Sequence, residues 1–353
     1  MTLRERLMTT LRGGMSDRIP WNIYAWLLPN TEAGRRLHRK GLGLMGTHKI
    51  FREVYEGVSL TEERIEGDGY PTFLRRIETP KGSLTEEAMI EPTYGSRWIK
   101  KYFITSLQDY PVAEYFLRHT RLEPDFDNWR RADHEMGDGG FVIGEIIPVP
   151  IMQLMVAWAG HEGLAEGLSG HMDGFAALLD ALDQHYWRQV QLAVESPAEV
   201  IWFPDNVTAS IISPCSFERY CAPIYQRAME QLRSAGKLSI AHYDGSIRPL
   251  LQSLARTDLP IIEAFTPPPM GDVTVADAKA AWPEKVVWVN FPGNYFLEPA
   301  SSIEAYILDL LRTAAAGGRL VVGCTEEFPL DEFEKTFTAI GKAMAKYEDR
   351  EWD

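Results

Sequence analysis

The amino-acid sequence predicts an α/β fold, a (β/α)8 TIM-type barrel. It is expected to be a single domain over residues 1–353, with a β-rich insertion over about 50–130. Three observations lead there. From about residue 140 onward, short apolar runs alternate with helical stretches, which implies parallel βαβ units. The runs are apolar almost throughout and flanked by Gly or Pro, as strands covered on both faces read. About six such units follow residue 140, and a further strand near residue 20 suits a closed barrel of eight. An open doubly wound sheet is the alternative. No Gly-x-Gly-x-x-Gly follows any strand, so a dinucleotide crevice is not indicated.

Residues 2–12 read as a helix, with Thr2 as N-cap and Glu5 three residues later. Arg18-Ile19-Pro20 leads into the apolar run Trp21 to Leu28, the expected first strand. Between residues 50 and 125 lie the alternating runs Val58–Glu63, Phe73–Glu78, Ser83–Ile90 and Arg97–Thr105, punctuated by Gly and Pro. Gly140–Ile147 is the next strand, ahead of a helical stretch over 170–196. Then strands and helices alternate. The strands are Val200–Phe203, Leu238–His242, Leu259–Phe265, Val286–Asn290 and Leu320–Cys324. The helices are 216–235, 247–256, Val273–Trp282, 301–315 and 330–347.

A chain of 353 residues, 45% hydrophobic and 24% charged, buries a large core unaided. Its net charge of −14 offers no basic surplus for nucleic acid or an anionic membrane surface. No uncharged apolar run is long enough to span a bilayer, and the N-terminus has no apolar signal-peptide core. Three cysteines, Cys215, Cys221 and Cys324, are no disulfide framework, so a reducing, cytoplasmic setting is expected. Exposed aromatics on an acidic barrel would permit a homodimer.

Polar residues recur where the strands end, and in an α/β barrel those ends converge on one mouth. They are Glu145, Asp205 with Asn206, His242 with Asp244, Glu263, Asn290, and Cys324 with Glu326. His242 and Asp244 lie two apart on an extended segment and so point the same way. Such a pair can hold a metal or work as acid and base. The alternative is a histidine satisfied by a carbonyl, with Asp244-Gly245 making the turn. Cys324 is a thiolate candidate or a small buried hydrophobe. Glu145 and Glu263 stand among Ile and Val, where a carboxylate needs a partner. Asp205-Asn206 could equally cap a helix. Cys215 and Cys221 read as core or structural. His38, His48, His119, His134, His161, His171 and His185 show no ligand spacing.

The order Ser213-Pro214-x-x-Phe217-x-x-Tyr220-x-x-Pro223-x-Tyr225, Leu232-Arg233-Ser234-x-Gly236-Lys237, His242-x-Asp244-Gly245, Glu263-Ala264-Phe265, Ala276-Asp277-Ala278-Lys279, Trp288-Val289-Asn290 and Gly323-Cys324 resembles the uroporphyrinogen decarboxylase superfamily. The resemblance covers about 130–345 and implies a distorted (β/α)8 barrel. It also implies one of two chemistries: metal-free decarboxylation of porphyrinogen acetates, or zinc-dependent methyl transfer involving corrinoid proteins. True decarboxylases carry an Arg-rich segment after the opening that Arg18-Ile19-Pro20-Trp21 matches. Here Asn22-Ile23-Tyr24-Ala25-Trp26-Leu27-Leu28 follows instead, and a polycarboxylate substrate needs several Arg or Lys.

The methyltransferase branch therefore looks nearer, in particular the branch that acts on methoxylated aromatics. The resemblance implies zinc held by His242, Cys324 and one or two of Glu145, Asp244 and Glu263. Asp244 stands where the coenzyme M branch has a cysteine. Asp205, Asn206 and Asp244 are the expected catalytic or orienting groups, and Trp21, Tyr24, Trp26 and Phe291 the expected walls for an aryl ring. No Asp-x-His-x-x-Gly corrinoid motif occurs, so a corrinoid would arrive on a partner protein. A metal-free decarboxylase or lyase, with Asp244 and Glu145 as acid and base, and a non-catalytic binding module are the alternatives.

Overall fold

The computed structural model describes residues 1–66, 70–169 and 173–352. The chain divides into two compact units. The first comprises residues 1–48, 127–145 and 197–353, and holds the barrel. Its eight parallel strands are β1 (Trp21–Tyr24), β2 (Gly43–Lys49), β3 (Gly140–Glu145), β4 (Val200–Phe203), β5 (Leu238–His242), β6 (Ile261–Phe265), β7 (Val286–Asn290) and β8 (Leu320–Cys324). They close in the order β1-β8-β7-β6-β5-β4-β3-β2, the barrel expected from the alternation.

Local chemistry fixes the ends of these elements. The first helix, Leu3–Leu11, starts at the Thr2–Glu5 capping box read from the sequence. Ser213 caps Pro214–Tyr220 and Thr274 caps Val275–Ala281. The stretch 216–235 is two helices, Pro214–Tyr220 and Ala222–Ser234. Pro223 has no N–H to donate, so it starts the second helix rather than sitting inside a longer one.

The run Trp21–Leu28 is not one strand. Pairing with β8 and β2 ends at Tyr24, and Ala25–Leu27 turns as a 3₁₀ helix. The second strand, β2, was hidden from pattern reading because Gly46, Thr47, His48 and Lys49 interrupt its apolar run.

Side chains that share a register row in a parallel sheet face the same way. Asn22, Asn290 and Gly323 form one row across β1, β7 and β8. In the lumen Trp288 Nε1 donates to Asn22 Oδ1 at 2.8 Å. A Cβ on Gly323 would stand 2.6 Å from Trp288 Nε1 and 3.0 Å from Asn22 Oδ1, so the ring of residues closes only around glycine.

The second unit comprises residues 49–126 and 146–196. It holds a four-stranded antiparallel sheet of Ser59–Ile65, Thr72–Thr79, Gly82–Ile90 and Arg97–Lys101, in that order. These are the four alternating runs of the sequence, with the last cut short at Lys101. Phe51–Tyr55 pairs with Thr120–Pro124 in a separate ribbon. The helix Asp173–Glu195 accounts for most of the helical stretch expected over 170–196. No described helix is long and apolar enough to cross a membrane.

Candidate active site

The site is built around Glu263, the third residue of β6 and wholly buried. Its carboxylate accepts three hydrogen bonds from three other strands. Tyr24 Oη of β1 donates to Oε1 at 2.6 Å, and Trp202 Nε1 of β4 donates to Oε2 at 3.2 Å. His242 Nδ1 of β5 lies 2.9 Å from Oε2. A carboxylate only accepts, so Nδ1 carries the proton and donates. The backbone makes room for this convergence. The β6–β7 register shifts between Ile262 and Phe265, and Ala264 takes φ 57° just after Glu263. Bulges of this kind re-aim a side chain and are common beside active sites.

With Nδ1 fixed on Glu263, the second nitrogen of His242 stands outside that pairing. Its Nε2 stands 3.9 Å from Asp244 Oδ2, whose side chain is 43% exposed. Burial alone would lower the His242 pKa. The charges of Glu263, Asp244 and Asp205 outweigh it and hold the pKa above the ordinary value. Gly245, at φ 64°, turns the chain directly after Asp244.

A second polar cluster closes the ends of β7 and β8. Asn290 is buried. Its Nδ2 donates to Glu326 Oε1 at 2.7 Å and to Thr266 Oγ1 at 3.3 Å, and its Oδ1 accepts from Thr325 N at 2.9 Å. Burial raises the Glu326 pKa; Asn290 opposes this and Asp244 adds to it.

The structure separates the expected residues. It brings His242, Asp244, Glu263 and Tyr24 together. Tyr24 serves as a donor to Glu263 as much as a wall. Glu145 ends β3 in register with Trp202, facing the same side. Asp205 is fully buried and accepts from Tyr225 Oη at 2.5 Å; its charge acts on His242. Asn206 is exposed, in the left-handed region at φ 48°.

Two expected wall residues are elsewhere. Trp21 begins β1, at the end opposite the mouth, edge-on to Trp352 at 6.2 Å. Phe291 is 1% exposed and packed against Tyr295, Phe296 and Tyr306, so it is core. Trp26 is 47% exposed and lies on Tyr24, ring centroids 4.4 Å apart.

Cys215 is exposed rather than core, because it lies on the outer side of its short helix; Cys221 is buried. His38, His119 and His185 each pair with a backbone carbonyl. His171 lies outside the described residues. Sequence reading missed Trp202, whose signal was its alternation with Phe203 on a strand next to the one bearing His242. It also gave no role to Asn290 and Glu326, which it had placed at strand ends.

The donor set expected for zinc does not converge. Zinc in proteins takes about three or four ligands. Among the described residues, no three His, Cys, Asp or Glu side chains stand together as a metal-holding group. Glu263 is already occupied by three donors. Cys324 follows Gly323, the residue of β8 that faces the lumen, so strand alternation turns its side chain the other way. Its buried thiol donates to Glu326 O at 3.5 Å, and burial pushes its pKa up. At the mouth, His242 Nε2 and Asp244 Oδ2 approach one another at 3.9 Å.

A family model described as uroporphyrinogen decarboxylase (URO-D) matches residues 91–332. The chain belongs to the uroporphyrinogen decarboxylase family. Among solved structures, it is similar to a methyltransferase from Methanosarcina mazei, with 14% sequence identity, 99% of each chain covered and a TM-score of 0.58. At that identity the likeness concerns the fold. A Bacteroidetes-affiliated GH5 cellulase linked with a polysaccharide utilization locus overlaps at 10% identity, over 95% of this chain and 93% of the other, with a TM-score of 0.43, too low to support an argument. No curated protein matches the sequence.

Proposed function

We propose that this member of the uroporphyrinogen decarboxylase family is a methyltransferase. It takes a methyl group from a small methoxylated aromatic donor and passes it to a corrinoid carried by a partner protein. The observation that carries this reading is the locked imidazole: His242 Nδ1 is held on buried Glu263, and Nε2 is left facing the mouth beside Asp244. Demethylating an aryl ether leaves electron density on oxygen, and the transfer needs an electrophile at that atom. A proton on Nε2 supplies it, and the raised pKa of His242 favours that proton. Glu263 steadies the cation, while Tyr24 and Trp202 hold Glu263. Trp26, which covers Tyr24, offers its exposed face to the ring.

The sequence departs from the porphyrinogen decarboxylases where their Arg-rich segment would be. The Methanosarcina likeness spans the whole chain. Zinc would supply the same help as a Lewis acid. The pairing of His242 Nδ1 with Glu263 supports a proton in that role. A metal-free decarboxylase or lyase is the second reading, favoured by that lack of a three-donor cluster.

Purified protein is tested for transfer of methyl from methoxylated aromatics to cob(I)alamin, with carbon dioxide release measured in parallel. The expected result is methyl transfer, reduced about 100-fold or more in His242→Ala. Carbon dioxide without methyl transfer would overturn the proposal in favour of the lyase. Elemental analysis checks the metal. About one zinc per chain, lost in His242→Ala, would mean that a further donor swings in beside Asp244 and that a Lewis acid replaces the proton.

A further inference from the structure

We infer that the donor taken at this mouth carries a positive charge: it is an ammonium-bearing aromatic ether, not an aromatic carboxylate. The inference rests on the methyl-transfer reading for the ether and on the barrel unit's own side chains for the charge. Asp244, two residues beyond β5, carries a half-exposed carboxylate. Among the described residues it has no side-chain hydrogen bond, and its recorded polar neighbour is His242 Nε2 at 3.9 Å. Glu326 follows β8 and is held by Asn290 Nδ2 and by the backbone of Gly293. Glu145 ends β3 in register with Trp202. Glu263 and Asp205 add two carboxylates behind them, both fully buried.

The main charges acting on Tyr24, His242 and Glu326 are the carboxylates of Glu263, Asp244 and Asp205 and the one cation His242, with no Lys or Arg among them. An incoming carboxylate would meet like charges in a partly desolvated cleft. An incoming ammonium would find Asp244 half-exposed, with His242 Nε2 at 3.9 Å as its recorded polar neighbour.

The walls agree with the charge. Trp26 is 47% exposed and packs on Tyr24 at 4.4 Å. The Trp202 ring centroid lies 5.9 Å from that of His242. Indole and phenol faces attract cations, tryptophan most strongly. An aryl ring bearing an ammonium arm can therefore place the ring on Trp26 and the arm on Asp244, leaving its ether oxygen for His242 Nε2. The step balances. The methyl carbon leaves oxygen as its bond to cob(I)alamin-type Co(I) forms. The metal supplies the electron pair and is oxidised to Co(III)–CH₃. The ether oxygen keeps its own bonding pair and takes the proton from Nε2.

The test compares a methoxybenzylammonium with the methoxybenzoate of the same substitution pattern, at one ionic strength. Binding to the full chain is followed by calorimetry and by quenching of tryptophan fluorescence. The ammonium is expected to bind at least about tenfold more tightly. The ratio should fall toward unity in Asp244→Asn and Glu326→Gln, whose folding is checked by circular dichroism. Equal affinities, or a preference for the benzoate, in the wild-type chain would overturn the inference. Methyl transfer to cob(I)alamin is then measured with both compounds. A binding preference for the cation with no transfer would retain the charge assignment and remove the methyltransferase reading. Transfer from the benzoate in preference to the cation would do the reverse.

Discussion

Glu263 shows how one buried charge organises the site. It accepts from a phenol, an indole and an imidazole on three different strands. Replacing it with alanine leaves three buried donors without an acceptor, and each such group costs about 1–3 kcal/mol. Glu263→Ala is therefore expected to lose at least about 2 kcal/mol in urea melts and to lose turnover with it. Glu263→Gln keeps the shape but removes the charge that raises the His242 pKa. The sign follows from linkage. A folded-state pKa above the unfolded one gives stability that is complete below the unfolded pKa and fades as pH rises through the folded value. Wild-type stability minus that of Glu263→Gln should shrink as pH rises from about 6.5. A difference that stays flat with pH would argue against an ionised pair.

At the scale of elements, the barrel closes only if its lumen side chains fit. Gly323→Ala pushes a methyl group into Trp288 and Asn22. It is expected to cost about 1–3 kcal/mol by melting, and an unchanged midpoint would contradict the lumen packing. The first helix is tied to the chain leading into β1 by Arg6, whose Nε donates to Asp17 Oδ1 at 2.8 Å. This bond holds the Asp17 pKa down at about 2, against an ordinary 3.8. A lowered carboxylate pKa contributes stability above the unfolded value and loses it as pH falls through the folded one. Asp17→Asn should thus destabilise modestly at neutral pH and progressively less as pH falls toward and below about 2, the effect being muted because Asp17 is 38% exposed.

The strands over 140–324 were legible because each is a short apolar run bounded by Gly or Pro. β2 was not, because its polar last residues broke the pattern, and strand length at β1 was set by pairing that no local signal carries. Among site residues, His242 and Glu263 were legible as charged groups in apolar surroundings. Their partnership was not, since Tyr24, Trp202 and Glu263 meet only when strands far apart in sequence close into a ring. The donors that the resemblance implies for zinc do not stand together among the described residues, for a reason at the same level. Spacing places donors at strand ends, but alternation decides which of them face inward, and Gly323 takes the inward place on β8.

For the whole molecule, a net charge of −14 and a mouth lined by carboxylates act in the same direction on a charged donor. Long-range charge speeds the encounter of an oppositely charged ligand, and salt weakens that effect. Turnover of a cationic donor at low concentration should therefore fall as salt is raised, while turnover of a neutral methoxyarene stays nearly level. The most direct test of the site is methyl transfer to cob(I)alamin by wild-type protein and His242→Ala, both confirmed as folded by circular dichroism. Methylcobalamin formation by the wild type, lost about 100-fold or more in the variant, is the predicted result. Equal rates in the two proteins, or no transfer from any methoxylated aromatic, would contradict it.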